Sequence, residues 1–413
     1  MLVLMVTAGT WGDVAPYTGL GTRLRAAGHE VVLATHSRYE GAVTALGLGF
    51  RPLPADPRVE LASPTSQSLL HTVSAPLAMA RVIRLAREFI PSLTDGVAAA
   101  VGAGADVVLA STLTEPLCAT LAEGYGLPCV GVHLLPATPT RAFPPLAAGG
   151  RSFGPYLNRL TARAVWASGD RAFAPGVRAL RRKLGLPPRR FSGPLGLDRD
   201  RQVHHGFSPL VVPRPADWPP GYQVGGYWWP ERPPGWQPDR RLLDFLAAGP
   251  PPVFAGFGSL VAGDAERLGE LLAAALRKAK VRGIIQAGWS GLSTEGDDLI
   301  SVGEVPHDWL FPRVAAVIHH AGAGITAAGL RAGVPTVPIP VQFDQPFWAA
   351  RLHALGVAPR PVRYQQLTVD RLAAAVREAT TDPGMRDRVR CLATALSRED
   401  GAAPVLKMLA ELG

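Results

Sequence analysis

Charge is sparse in this chain. Asp, Glu, Lys and Arg make up 18% of its 413 residues, against 47% hydrophobic ones. That balance argues against a disordered chain and for a globular one. Cysteine is scarcer still, with Cys118, Cys129 and Cys391 each in apolar surroundings. An odd count argues against a disulfide framework and makes the cytoplasm the expected location. Aromatic residues are 7% and do not interleave with basic runs, so nucleic-acid binding is not expected. No stretch approaches the ~20 apolar residues of a membrane span, so stable membrane insertion is not expected either. The opening "MLVLMVTAGTWGD" lacks a basic lead and reaches Asp13 too soon for a signal segment; a buried first strand is the expectation. The formal net charge of +9 is mostly arginine and scattered, which suits a weak attraction for anionic small molecules.

What is present is alternation. "LVLMVT" (2–7) is an apolar strand, "PYTGLGTRLRAAG" a helix opened by proline and closed by glycine, and "EVVLATH" (30–36) a second strand. "ADVVLAS" (105–111), "TEPLCATLAEGYG" and "PCVGVHLL" (128–135) repeat the pattern. Residues 60–100 read as helical and 136–200 as a long irregular and helical insertion. Such βαβ alternation predicts a parallel sheet covered on both faces. Residues 209–240, rich in proline and holding four tryptophans, read as an extended, packed linker. The alternation restarts at "PVFAGFGS". The expectation is therefore an α/β chain of two halves, 1–208 and 241–395, with a cleft between them as the default site.

Residues 316–329, "AVIHHAGAGITAAG", run from a buried-looking strand into two histidines and a ladder of glycine and alanine. A helix N-terminus offers unpaired N–H groups and partial positive charge, and small residues let an anion approach them. His320 would add a side-chain donor, so a phosphate-bearing ligand explains both features. A plain strand–helix turn explains the spacing as well. A metal would need further ligands, and His204, His205 and His307 show no metal-binding spacing. Gly322 to Ala327 also fits a dinucleotide fingerprint, with Asp344 about twenty residues on. That alternative leaves "GFGS" (256–259) and "VPIPVQFDQPFW" (337–348) unexplained. In the latter an Asp–Gln pair opens a helix and offers the donors and acceptors that vicinal sugar hydroxyls need.

Residues 304–357, "EVPHDWLFPRVAAVIHHAGAGITAAGLRAGVPTVPIPVQFDQPFWAARLHALGV", resemble the nucleotide-sugar signature of the UDP-glycosyltransferase superfamily, in its sterol glucosyltransferase and antibiotic glycosyltransferase branch. "TAGTWGDVAPYTGLGTRLRAAGHEVVLATH" with "GLGFRPLPADPR" resembles the family's N-terminal signature, and "LLPATPTRAFPPL" its acceptor segment. The resemblance covers nearly the whole chain and is weakest over 60–100 and 150–240. It implies a GT-B fold, two Rossmann-like doubly wound domains facing across a cleft, with a closing helix at 396–413 returning to the first. It also implies inverting, metal-independent transfer of a hexose from a nucleotide diphosphate sugar to a lipophilic alcohol such as a sterol, macrolide or polyketide. UDP-glucose is the favoured donor. No cofactor is implied, and a monomer or weak dimer is expected.

Residue by residue, the resemblance implies that His320 and the backbone of Gly322, Ala323, Gly324 and Ile325 hold the diphosphate, with Ser259 touching it from the other loop. Asp344 and Gln345 would bind the sugar, and His307 and Trp309 would lie near the base. Asp13, in the first strand–helix loop, is the expected general base, with helix capping its alternative role and His133 or His36 the next candidates. Thr10, Trp11, Leu70, Leu135, Pro139 and Phe143 would form the acceptor side. Three positions depart from the family pattern. Ala321 replaces a usual glycine, Ile325 a usual hydroxyl residue, and Trp11 a common arginine. Two rivals stay open: a nicotinamide-dependent oxidoreductase resting on Gly322–Ala327, and a catalytically idle auxiliary protein of the same fold resting on Ile325.

Overall fold

The structure is a computed structural model that describes residues 1–54, 75–188, 201–258, 265–288 and 296–413. Among the described residues, twelve parallel strands form two sheets. The first sheet has the order β3-β2-β1-β4-β5-β6-β7. It is built from β1 (Leu2–Val6), β2 (Glu30–His36), β3 (Gly49–Leu53), β4 (Val107–Ala110), β5 (Cys129–His133), β6 (Val203–His205) and β7 (Tyr222–Val224). The second has the order β10-β9-β8-β11-β12, from β8 (Val253–Gly256), β9 (Gly283–Gln286), β10 (Leu299–Val302), β11 (Ala316–His319) and β12 (Thr336–Pro338). In one respect the sheet extends beyond expectation. Tyr222–Val224 lies within the stretch read as linker, yet it pairs with β6 and adds the seventh strand.

Continuous apolar runs make these strands because both faces of each sheet are covered. Side chains alternate across a strand, and β1 shows the consequence. Val3 and Met5 join the cluster that includes Leu20 and Leu24 of α1 (Trp11–Ala26). Leu4 and Val6 face the opposite layer, with Leu93 and Val97 of α2 (Ala75–Gly102), Leu117 of α3 (Glu115–Tyr125) and Val177 of α4 (Pro155–Lys183). The second sheet divides likewise. Val253 and Ala255 pack towards α6 (Ala265–Ala279), which follows α5 (Arg240–Ala247), whereas Phe254 packs with Phe311 and Ile325.

Each sheet reverses its winding at one point, between β1 and β4 in the first and between β8 and β11 in the second. Ligands of open parallel sheets bind at such switch points, beyond the carboxyl ends of the strands. The loops in question follow β1, β8 and β11. After β11 come α7 (Ala323–Ala332), α8 (Gln345–Ala354), α9 (Val369–Thr381), α10 (Pro383–Leu396) and α11 (Ala403–Leu412). Val405, Met408 and Leu409 of α11 enter the cluster beneath β1. The two passages of chain between the sheets meet where Trp228 Nε1 donates to Gly401 O at 2.9 Å.

The halves share an apolar cluster. Val203, Phe207 and Tyr222 from the first side meet Ala321, Phe347, Trp348 and Leu352 from the second. Phe143 is stacked obliquely against Phe347, with ring centroids 5.1 Å apart.

Candidate functional site

The first helix begins with a tight arrangement built on Gly9. Its φ of +138° is a conformation that side chains oppose, and a Cβ there would stand 2.5 Å from Asp13 Oδ2. Gly9 N donates to His36 Nε2 at 2.9 Å, which pins the loop to the end of β2. Asp13 occupies the third helical position of α1. Its Oδ2 accepts from Thr10 N at 2.9 Å and from Thr10 Oγ1 at 3.0 Å. These bonds all reach one oxygen, so Oδ1 keeps its acceptor capacity. Burial raises the carboxyl above its ordinary range, and the two Thr10 bonds only partly offset this. Asp13 therefore caps the helix and is also made more basic. The two alternative bases are engaged elsewhere. His36 is 1% exposed with Nε2 occupied by Gly9. His133 is 2% exposed, bonded through Nε2 to Glu115 at 2.8 Å, and held neutral by burial, its pKa lowered to about 3.

Facing this helix start is the start of α7. A Cβ on Gly324 would stand 3.7 Å from Gly12 O, so the two N-termini approach each other with almost no side chain between them. The histidine and glycine ladder now has a geometric reason. His319 is fully buried and accepts from Ala321 N at 3.0 Å, so it organises the turn. The ring of His320 folds over Gly322, where a Cβ would lie 2.5 Å from its Nε2. Burial, assisted by His307, lowers the His320 pKa to about 4, and its Nδ1 is buried without a hydrogen-bond partner. A neutral imidazole with an unused ring nitrogen beside the free N–H groups of Ala323, Gly324 and Ile325 suits an anion. Ala321 takes φ +63°, which explains why glycine is usual there. Its methyl is repaid by full burial in the cluster between the halves.

Asp344 lies half-buried before α8, its Oδ2 accepting from Trp348 Nε1 at 2.8 Å. Its pKa is pushed up to about 7, first by burial and then by the charge of Asp13 across the cleft. Gln345 Oε1 is turned inward, accepting from Val341 N at 2.8 Å and Gln342 N at 3.1 Å, which leaves only its Nε2 for a ligand. Trp11 is 39% exposed and lies 5.3 Å from the Tyr39 ring, which rules out a buried structural role. Leu135 is partly buried at the edge of the cluster between the halves.

The expectations for Trp309, His307, Pro139 and Phe143 need correction. Trp309 is 8% exposed within the core, with the Arg313 guanidinium 4.4 Å over its ring and the Trp236 ring on its edge, so it offers no face to a base. His307 is stacked on Phe311 with ring centroids 4.4 Å apart, so one of its faces is already taken. The Ile325 side chain points into the core beside Phe254 and Phe311, which leaves its backbone N–H as the sole contribution. Pro139 is buried, and Phe143 is committed to Phe347 instead of an open pocket. Leu70 and Ser259 lie outside the described residues. Sequence reasoning missed Gly9 and Trp348. The first stands four residues before Asp13, and the second four residues after Asp344, one helical turn on. Among the described residues, no group of three or more His, Cys, Asp or Glu could hold a metal.

Comparison with known proteins agrees with this geometry. Residues 3–144 match the glycosyltransferase family 28 N-terminal domain, and residues 284–412 the erythromycin biosynthesis protein CIII-like C-terminal domain. The chain is 39% identical over 422 residues to O-mycaminosyltylonolide 6-deoxyallosyltransferase of Streptomyces fradiae, covering 100% of this chain and 97% of that protein. It is 35% identical to a sterol 3-beta-glucosyltransferase of Arabidopsis thaliana, over 98% of this chain but 65% of that longer protein. Among solved structures, the glycotransferase of kitacinnamycin superposes with a TM-score of 0.69 at 21% identity, covering 100% of this chain and 98% of the other. A Streptomyces sp. SF2575 glycosyltransferase complexed with thymidine diphosphate gives 0.64 at 21%, covering 100% and 99%. These superpositions establish the GT-B fold, and the relatives set aside the nicotinamide alternative for Gly322–Ala327. The chain belongs to the UDP-glycosyltransferase superfamily, in the branch of antibiotic and sterol glycosyltransferases, and is a glycosyltransferase.

Proposed function

We propose that the protein transfers a hexosyl group, with inversion and without a metal, from a nucleotide diphosphate sugar to a hydroxyl of a lipophilic small molecule. The observation that carries this reading is the meeting of two helix N-termini. One bears Asp13 and the other the glycine loop, with Asp344 close enough to sense the charge of Asp13. In this arrangement Asp13 Oδ1 takes the acceptor proton as the acceptor oxygen bonds to the anomeric carbon. The bond from that carbon to the diphosphate breaks on the opposite side. The departing negative charge is received by His320 and the N–H groups of Ala323, Gly324 and Ile325. Asp344 and the Gln345 amide hold sugar hydroxyls, and a donor with several free hydroxyls, such as UDP-glucose, uses both. Trp11 and Leu135 face an apolar acceptor. The names of the relatives pair a 6-deoxyallosyl group with O-mycaminosyltylonolide, and a glucosyl group with a sterol. Both acceptors are bulky and lipophilic.

The test is transfer itself, with UDP-glucose and TDP-sugars offered against macrolide, polyketide and sterol alcohols and products detected by mass spectrometry. A mass increase of one hexosyl unit in a lipophilic acceptor supports the reading. Hydrolysis of the donor to free sugar with every acceptor would count against it.

A further inference from the structure

Among the described residues, exposed large apolar side chains cluster at the start of α4. Tyr156 is 75% exposed, Leu157 48% and Leu160 49%, with Phe153 at 44% immediately before the helix. At 3.6 residues per turn Tyr156, Leu157, Leu160 and the exposed Ala164 share one face, opposite the buried Asn158 and Ala162. Scattered exposed apolar residues are ordinary, but a contiguous helical stripe of them is not. Its border is positive. Arg163 and Arg171 follow on the same face and Arg151 precedes it, and none forms an ion pair among the described residues. Over its whole length the helix carries one acidic residue, Asp170, against seven basic ones.

The opposite, buried face of the helix is tied to the acceptor segment. Asn158 Nδ2 donates to Arg141 O at 3.3 Å, which ties α4 to the segment ahead of it. That segment lies on α8, with Gly149 against Pro346 and Gly150 against Ala350, directly beside Asp344 and Gln345. An apolar helix face with a basic border, on a helix packed against the acceptor segment, matches the physical pattern of an element that lies in a membrane interface.

We infer that α4 docks the protein on an anionic lipid surface, with Tyr156, Leu157 and Leu160 entering the interface and Arg151, Arg163 and Arg171 meeting lipid phosphates. The inference rests on the proposed lipophilic acceptor, since such a molecule partitions into bilayers and is met there at high local concentration. A second copy of the chain is the less suitable occupant. Two-fold pairing would bring the same unpaired arginines face to face.

The experiment is co-sedimentation of the full chain with vesicles of phosphatidylcholine alone and of phosphatidylcholine with phosphatidylglycerol. Binding is expected only with the anionic lipid, and it should weaken as salt rises. The double variant Leu157→Glu/Leu160→Glu should partition at least roughly tenfold less, because two inserted apolar groups become charged. Arg163→Glu should lose part of the salt-sensitive binding. Circular dichroism verifies that the variants are folded. Equal sedimentation of wild type and double variant would overturn the inference. So would no sedimentation of wild type, or a wild-type dimer in light scattering that the double variant dissolves, which would make the stripe a self-interface. Capture of an acidic protein by the stripe without vesicle binding would overturn it too. Transfer to a detergent-dispersed acceptor without vesicles should be the same for all variants. Its loss in the wild type would sink the functional reading and leave the docking result standing.

Discussion

Replacing Asp13 by Asn separates the capping seen in the structure from the proposed role of this side chain as general base. The asparagine oxygen can accept from Thr10 N and Oγ1 as Asp13 Oδ2 does, at 2.9 and 3.0 Å. The fold and the helix start should therefore persist, at a cost of about 1 kcal/mol or less, the difference between a charge-assisted and a neutral bond. The amide NH2 then occupies the place of Oδ1, where it donates and cannot accept a proton. Transfer should fall by roughly 10²–10⁴ while nucleotide affinity is unchanged. The structure supplies a second readout that a pure cap would not move. Asp344 titrates at about 7 partly because Asp13 is charged. In the variant that charge is gone, so the Asp344 pKa should fall, measurable by carbon NMR of the side-chain carboxyl. Near wild-type transfer, or an Asp344 titration that stays at about 7, would refute the reasoning. The two histidines once eligible as bases could not easily take over, since both are buried and bonded.

Asp344→Asn keeps an acceptor for Trp348 Nε1 but removes the charge, so affinity for the nucleotide sugar should drop while that for free nucleotide stays, by isothermal titration calorimetry. In the wild type the folded-state pKa of Asp344 is raised, so its protonated form favours folding. This contribution is complete below about 4 and is lost as pH rises to about 7; denaturant titrations should show that the Asn variant lacks the decline. Ile325→Thr places a hydroxyl in the core beside Phe254 and should cost about 1–3 kcal/mol in urea unfolding, with no gain in donor affinity. Tighter donor binding would mean the side chain turns towards the phosphates. Gly9→Ala forces a methyl against Asp13 Oδ2 and strains a φ of +138°, so transfer should fall with the protein still folded; an unaffected rate would show that this loop does not position the base.

Much of the fold was legible because a parallel sheet buries both faces, so its strands stand out as unbroken apolar runs such as Leu2–Val6 and Ala316–His319. β6 and β7 were not. They are three residues each, β7 lies in a stretch whose proline content imitates a linker, and only the pairing of β6 with β5 and of β7 with β6 makes them strands. Within the site, the backbone contributors around Gly322–Gly324 were readable from their small size. Side-chain direction was harder to read. Whether Ile325 faces ligand or core depends on the helix phase, which starts at Ala323 and not at Ile325. Trp309 looked like a base platform because it follows His307 closely, but two helical residues, about 200° of rotation, carry it to the other side and into the core. Pro139 and Phe143 come from a segment whose role as a strap over α8 is set by residues some two hundred positions away, which local sequence does not reveal. The departure at Ala321 was visible, whereas its left-handed backbone and its packing between the halves were not.

The central claim is that Asp13 and the α7 N-terminus act on opposite sides of one anomeric carbon without a metal. The measurement that tests it most directly is the anomeric configuration of the product, by NMR, from an α-linked nucleotide sugar in the presence of EDTA. The account predicts a β-linked glycoside at an undiminished rate. An α-linked product, or transfer abolished by EDTA and restored by a divalent cation, would contradict it.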